Sequence, residues 1–392
     1  MNTKITLEEI KNVVESIFPE VQPLIKKVGD NPETGYKEKQ ACAWQMEFLQ
    51  QQGFTVQGNL ADLSTAFYGE YCACRANSDV KTALLTEYDA LNPPLGHACG
   101  HQLIMGTGLL AAAAVRRIME KHRIPGTLCT IGCPAEEQLG GKVFMLRSGV
   151  FKDVDAAFLS HPFFRYGVSR KILAVTHGRV EFFGRSAHAS TAPEQGINAL
   201  DAMTIFMSGI NAWRQQLPGT ARVHGIITNG GTAANVIPDY TSGFFYVRSA
   251  DNVFQKKMEQ RFEEIAQGAA LIAGCQYKVS WDDGAYSAGK SNAVLAEEAE
   301  NIMQQMGLNV NRNIPEPLST DFANVCDEVP GVNIYFDVTG GEPLALHSIP
   351  FREAAASEQA LQPLRNAAVV LAQLTLNYLL DENFRQQVNE AR

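Results

Sequence analysis

Long unbroken apolar runs are scarce in this sequence. The longest nearly apolar one, Leu103 to Val115, is 13 residues interrupted by Gly106, Thr107 and Gly108, whereas a membrane span needs about 20. It predicts a buried helix, and no membrane partner is expected. Cysteine is scarce, 8 in 392 residues, far below the density of a chain stapled by disulfides. Reduced thiols and a cytoplasmic location are therefore expected. Basic residues are outnumbered, 33 Lys and Arg against 42 Asp and Glu for a net charge of -9, so a nucleic-acid partner, which needs a basic face, is not expected. The opening MNTKITLEEIKN has no apolar core of a secretion signal and offers a capping box from Thr6 to Glu9 that predicts a helix. Repeats and low-complexity linkers are missing too, so a second domain would be inserted rather than appended.

What remains is an ordinary globular composition, 45% hydrophobic and 19% charged, in a chain long enough for two domains or one large one. Four short apolar runs, Thr82–Thr86, Gly126–Gly132, Ala156–Ser160 and Val332–Phe336, lie beside helical patterns, as strands covered on both faces do. They predict an α/β catalytic domain whose central sheet is mostly parallel and flanked by helices, over residues 1–171 and 284–392. Between 172 and 283 the pattern changes to alternating strands (174–183, 223–228, 241–248, 276–281) with helices near 197–214 and 252–273, which predicts an inserted α+β domain.

Each apolar run is followed by candidate polar chemistry: Glu87 and Asp89, then Glu136 and Glu137, then His161, and further on His347. Ligands of open α/β sheets sit beyond the carboxyl ends of the strands, so these scattered residues are expected to converge. In GHACGH, Cys99 and His101 are two apart with Gly100 between, a spacing that lets a thiolate and an imidazole face one ion. Alone, such a pair is more often structural. Adjacent carboxylates at a strand end are costly to bury unless a cation neutralises them, and beside a dication one can ligate while the other takes a proton from water. Alone, they read equally well as a solvated turn. His161, before Pro162, sits where the chain must turn, and by itself is more often a satisfied structural histidine. Together with His347 in LALHS they make five protein ligands, more than one catalytic zinc uses, which points to two metals bridged by water. Asp89 is expected to orient a ligand imidazole. One soft thiolate among nitrogen and oxygen donors suits zinc or manganese, with cobalt or nickel as alternatives. An accessible thiolate of low pKa is also expected to oxidise readily. The remaining cysteines, among them Cys72 and Cys74 spaced like two ends of one strand face, read as core or incidental thiols.

At these residues the sequence resembles the aminoacylase and glutamate carboxypeptidase superfamily of dinuclear metallohydrolases, in its amidohydrolase branch. The blocks that carry the resemblance are NPETGYKE (31–38), EYDAL with GHACGH (87–101), PAEEQLGGK (134–142), FKDVDAAFLSHP (151–162), GRSAHAS with GINALDA (184–202), HGIITNGGTAANVIPDY (224–240) and STDFANV (319–325). The resemblance implies that Cys99 bridges two divalent metals, that His101, Glu137, His161 and His347 complete their shells, and that Glu136 is the general base. It implies a four-stranded antiparallel sheet with two helices as an inserted lid and dimerisation domain, hence a homodimer. From that domain His188 would stabilise the oxyanion, and Asn235 and Arg248 would lie toward the substrate. Three departures stand out: Gln102 where Asp or Asn commonly follows CGH, LHSIPF around His347, and Arg165 and Arg170 near His161.

The activity expected is hydrolysis of the amide bond in small N-acyl amino acids or dipeptide-like substrates, with Glu136 taking a proton from a metal-activated water. Two other classes compete. Gly284 to Ser291, GAYSAGKS, matches the phosphate-loop pattern, although the strand before it is polar where a buried apolar one is needed. The chain could instead be a catalytically silent relative that binds an acyl amino acid.

Overall fold

A computed structural model describes residues 5–73, 80–137, 140–312 and 318–392. The chain divides into two compact units, residues 1–171 with 290–392, and residues 172–289. Residues 284–289, assigned from sequence to the first unit, belong to the second, because Tyr286 bridges to Val175 and Gly289 to Ile172.

The first unit is built on a seven-stranded sheet in the order β1 (Thr55–Leu60), β2 (Leu63–Cys72), β4 (Thr127–Cys133), β3 (Lys81–Glu87), β5 (Ala156–Phe163), β11 (Gly331–Asp337), β6 (Gly167–Val168). Parallel pairing is confined to the centre, β4–β3–β5–β11. Both flanks are antiparallel, so the expectation of a mostly parallel sheet is only partly correct. The central strands are buried along nearly their whole length and carry apolar runs because helices cover both faces. On one side Leu84, Phe158 and Ile334 pack with α1 (Leu7–Asp30), α3 (His101–His122) and α10 (Leu361–Leu380). On the other, Ala83, Leu85 and Leu159 pack with Met145 of α4 (Gly141–Arg147) and with Phe322 and Val325 of α8 (Phe322–Glu328). The apolar run at 103–115 is the buried body of α3. Thr6 caps α1, its hydroxyl accepting from the Glu9 amide at 3.2 Å.

The second unit is a four-stranded antiparallel sheet in the order β10 (Gln276–Trp281), β7 (Ala174–Phe183), β9 (Tyr240–Ser249), β8 (Arg222–Asn229). One face is covered by α5 (Ala199–Trp213) and α6 (Asn252–Ala273), whose Phe206 and Phe262 meet Phe182 and Phe245 of the sheet. β8 is an edge strand, and its Ile226 and Ile227 are exposed.

Candidate metal centre

The residues of interest in the first unit gather where β3, β4 and β5 end, and local backbone constraints aim them. Gly100 separates Cys99 from His101 in a left-handed conformation, φ +79°, and a Cβ there would lie 2.6 Å from Pro162 Cγ. Only glycine meets both conditions without strain. α3 starts at once, which puts His101 in its first turn. The turn carrying Glu136 and Glu137 begins with Ala135 at φ 59°. Glu38 Oε1 accepts the Ala135 amide at 2.8 Å and Asp89 Oδ2 accepts the Glu137 amide at 3.0 Å, so two buried carboxylates pin the turn on either side of Glu136. His347, also left-handed at φ 62°, donates its amide to the Ala98 carbonyl at 3.0 Å, which ties its loop to the Cys99 loop.

Cys99 Sγ lies 3.4 Å from His161 Nε2. The other ring nitrogen of His161, Nδ1, is 2.7 Å from the Pro162 carbonyl and donates to it, so Nε2 keeps its lone pair for the sulfur side. His101 is held the same way, Nδ1 donating to Asp89 Oδ1 at 2.9 Å. Its Nε2 faces Glu137 Oε1 at 3.6 Å and Glu136 Oε2 at 3.8 Å, and both His101 Nε2 and Glu137 Oε1 are buried without a hydrogen-bond partner. His347 Nε2 is 3.2 Å from Glu137 Oε2. The donor atoms of Cys99, His101 and His161 lie within 4.8 Å of one another, and so do those of Cys99, Glu137 and His347. Buried donors aimed at one another, two of their atoms without a hydrogen-bond partner, fit a site for cations. One sulfur is common to both sets.

The electrostatics divide the paired glutamates. Burial, followed by the charges of Glu87 and Glu137, pushes Glu136 well above the usual carboxylate range. Burial also acts on Glu137, but the His347 hydrogen bond and the charge of His101 outweigh it and hold Glu137 low. Neighbours whose proton affinities are driven apart suit separate tasks. Burial lowers His161 to about 4, with His101 adding to the effect. For Cys99, burial and then Glu137 push the thiol well above its ordinary value. The accessible, low-pKa thiolate expected from sequence is therefore absent from the metal-free protein. Cys99 is 5% exposed, and it would become a thiolate only by exchanging its proton for an ion.

Gln102 is buried, its Nε2 donating to the Ala355 carbonyl at 3.3 Å. It and His97 line a cavity of about 850 Å³ whose lining includes none of the ligand candidates. Asn235, His188 and Arg248 belong to the second unit. His188 bridges to Val236 and is exposed. Its Nδ1 accepts from the Ser190 and Thr191 amides at 3.3 Å each, which leaves Nε2–H as a donor. The Ala189 amide donates to the Asn235 carbonyl at 3.0 Å. Arg248 on β9 lies over the Tyr246 ring at 5.4 Å.

The sequence of residues 86–372 matches peptidase family M20/M25/M40. Over 370 residues the chain is 32% identical to a Xaa-Arg dipeptidase of Mus musculus, covering 91% of this chain and 85% of that one. This chain belongs to the M20/M25/M40 peptidases. It is a metal-dependent hydrolase of amide bonds. A p-aminobenzoyl-glutamate hydrolase polypeptide from Escherichia coli is 32% identical over 291 residues, 70% of this chain and 60% of that one. The fold is shared with a dinuclear metal-binding M20 peptidase of Bacillus subtilis, at a TM-score of 0.66 and 20% identity over 92% of this chain and 99% of that one.

The phosphate-loop alternative fails on geometry. Gly284–Ser291 is an extended connector between β10 and the helix Ala293–Gln305, and Lys290 and Ser291 lie before that helix rather than in its first turn. Its amides are already used: Tyr286 donates to the Val175 carbonyl, Ala288 to Asn252 Oδ1 and Gly289 to the Ile172 carbonyl. No row of N–H groups is left to cradle a phosphate. Cys74 lies outside the described residues, while Cys72 ends β2, exposed.

Four buried residues around the site had no role assigned from sequence: Glu38, Glu87, Lys142 and Asp321. All lie in the blocks that carry the family resemblance; that placement was the only signal for Glu38, Lys142 and Asp321, while Glu87 was also singled out as candidate polar chemistry after the first apolar run. Burial, then the charge of Asp89, raises Glu38 to about 7.

Proposed function

We propose that the chain cleaves the amide bond of dipeptides and other small N-acyl amino acids with two divalent ions. One would be held by Cys99, His101 and His161, the other by Cys99, Glu137 and His347. The observation that carries this reading is the single sulfur common to both donor sets. The substrate class follows from the relatives, named for Xaa-Arg dipeptides and p-aminobenzoyl-glutamate. Bound ions would polarise the scissile carbonyl and acidify water, and zinc or manganese suits the donor set best, with cobalt or nickel also accommodated.

The chain's own residues supply the rest. Asp89 orients the His101 ring through Nδ1 and steadies Glu137 through its amide. Glu136, with a raised proton affinity and a turn pinned on both sides, takes a proton from the attacking water and returns it to the leaving amine. His188, with Nε2–H free to donate, stabilises the oxyanion, and Asn235 and Arg248 contact the substrate. The unit 172–289 serves as lid and as the dimerisation surface of a homodimer. Its β8 edge offers unpaired backbone groups beside exposed Ile226 and Ile227, and a second copy would cover them. The described cysteines are all free, in keeping with a cytoplasmic enzyme.

The test is Glu136→Gln, assayed on a panel of Xaa-Arg dipeptides, N-acyl amino acids and aminobenzoyl-glutamate. Turnover should fall by at least about a hundredfold while both ions stay bound. Near-normal turnover would reject Glu136 as the base, and a wild-type enzyme inert on the whole panel would reject the substrate class.

A further inference from the structure

Among the described residues three donor sets, not two, are spaced to hold a cation. The third is Glu87, His101 and Glu136, whose donor atoms also lie within 4.8 Å of one another. An ion there would draw His101 Nε2 away from the Cys99–His101–His161 set, leaving the ion of that set on Cys99 and His161 alone, and would turn Glu136 from a proton acceptor into a ligand.

That third set already has a cation beside it. Lys142, wholly buried in the first turn of α4, places its ammonium 2.6 Å from Glu87 Oε1 and 2.5 Å from Asp321 Oδ1. Its backbone amide donates to Asp321 Oδ2 at 2.9 Å, so both ends of the residue are fixed to one carboxylate. Gly141 lets the chain reach this point, since a Cβ there would lie 1.9 Å from the Pro134 carbonyl oxygen. Burial works against the charge of Lys142, but Asp321 and Glu87 together outweigh it and keep the amine protonated. Removing one partner of a buried ion group leaves the others uncompensated.

We propose that Lys142 is a tethered counter-cation that holds Glu87 out of the metal shell, limits the centre to two ions and keeps Glu136 a proton acceptor rather than a ligand. It is a positioning residue, acting through Glu87 rather than on substrate. The proposal rests on the two-ion reading above.

The experiment counts ions per chain by native mass spectrometry during a manganese titration, with turnover measured at each point. Wild type should saturate at two ions. Lys142→Met, similar in length but uncharged, should take up a third at high metal and lose about tenfold or more in turnover as it does so. Adding Glu87→Gln to that variant should restore the two-ion limit and most of the turnover. Lys142→Met with two ions and wild-type turnover throughout would overturn the proposal, as would a double variant no better than the single one. If thermal melting shows Lys142→Met unfolded, Glu87→Gln alone decides. Two bound ions support the proposal, whereas a lost ion makes Glu87 a ligand and overturns it. A wild-type count other than two defeats the two-ion reading separately, because the Lys142 comparison is read as a change from wild type.

Discussion

Asp89→Asn tests how one buried carboxylate serves both halves of the centre. Asp89 is 1% exposed and has two acceptor oxygens with two different donors, His101 Nδ1 at 2.9 Å and the Glu137 amide at 3.0 Å. Asparagine keeps one oxygen and turns the other into an NH2 group, so one donor must face a donor. His101 and Glu137 belong to different donor sets: the donor that faces the NH2 group is lost outright, and the other keeps a neutral amide oxygen in place of a stronger carboxylate acceptor, so both ions should weaken, unequally. Loss of an orienting partner behind a ligand typically costs 10- to 100-fold in metal affinity, about 1.4 to 2.7 kcal/mol for each ion. The assay is a chelator-competition titration of wild type and variant, with thermal melting of the metal-free proteins to confirm the fold. At saturating metal much of the turnover should return. Unchanged affinity for both ions would refute the reasoning, and a loss confined to one ion would refute the claim that Asp89 acts on both.

Gly100→Ala should destabilise the metal-free protein. The left-handed backbone costs roughly 1–2 kcal/mol for an L side chain and the contact with Pro162 roughly 1–3 kcal/mol more, so a denaturant midpoint equal to wild type would contradict the geometry. Burial, with His101 adding to it, lowers His97 from an ordinary 6.5 to about 4. Between those values the unfolded chain holds more protons on His97 than the folded one. Its contribution is thus complete above 6.5 and is lost as pH falls toward 4, by roughly 3 kcal/mol in all. His97→Gln should flatten the metal-free stability profile over that window, and an unchanged slope would count against the buried neutral imidazole.

The central strands β3, β4, β5 and β11 were legible as short apolar runs because helices cover both of their faces. The second unit was legible for the opposite reason, since its strands alternate between the α5–α6 side and the open side. β1 and β2 were not. β1 is polar and half exposed, and the turn joining it to β2 uses Ala61 and Asp62, both at positive φ, where Asn-Gly or Asp-Gly would have signalled a hairpin. The expected ligands come together because each follows a strand end or a loop tied to one. Lys142 and Glu38 escaped notice because a lone Lys or Glu in a polar segment reads as surface, and only the tertiary convergence of β3, α4 and α8 buries the lysine. Cys99 misled for the same reason: a Gly-flanked loop reads as open, while the packing of Gly100 on Pro162 closes it.

The central claim is that one sulfur serves two ions, and the count of ions bound to Cys99→Ala, measured by native mass spectrometry on folded protein beside wild type, tests it most directly. Wild type should carry two ions per chain, and the variant should lose both affinities together along with its turnover. A Cys99→Ala protein that still binds two ions tightly and hydrolyses its substrate at the wild-type rate would contradict the claim.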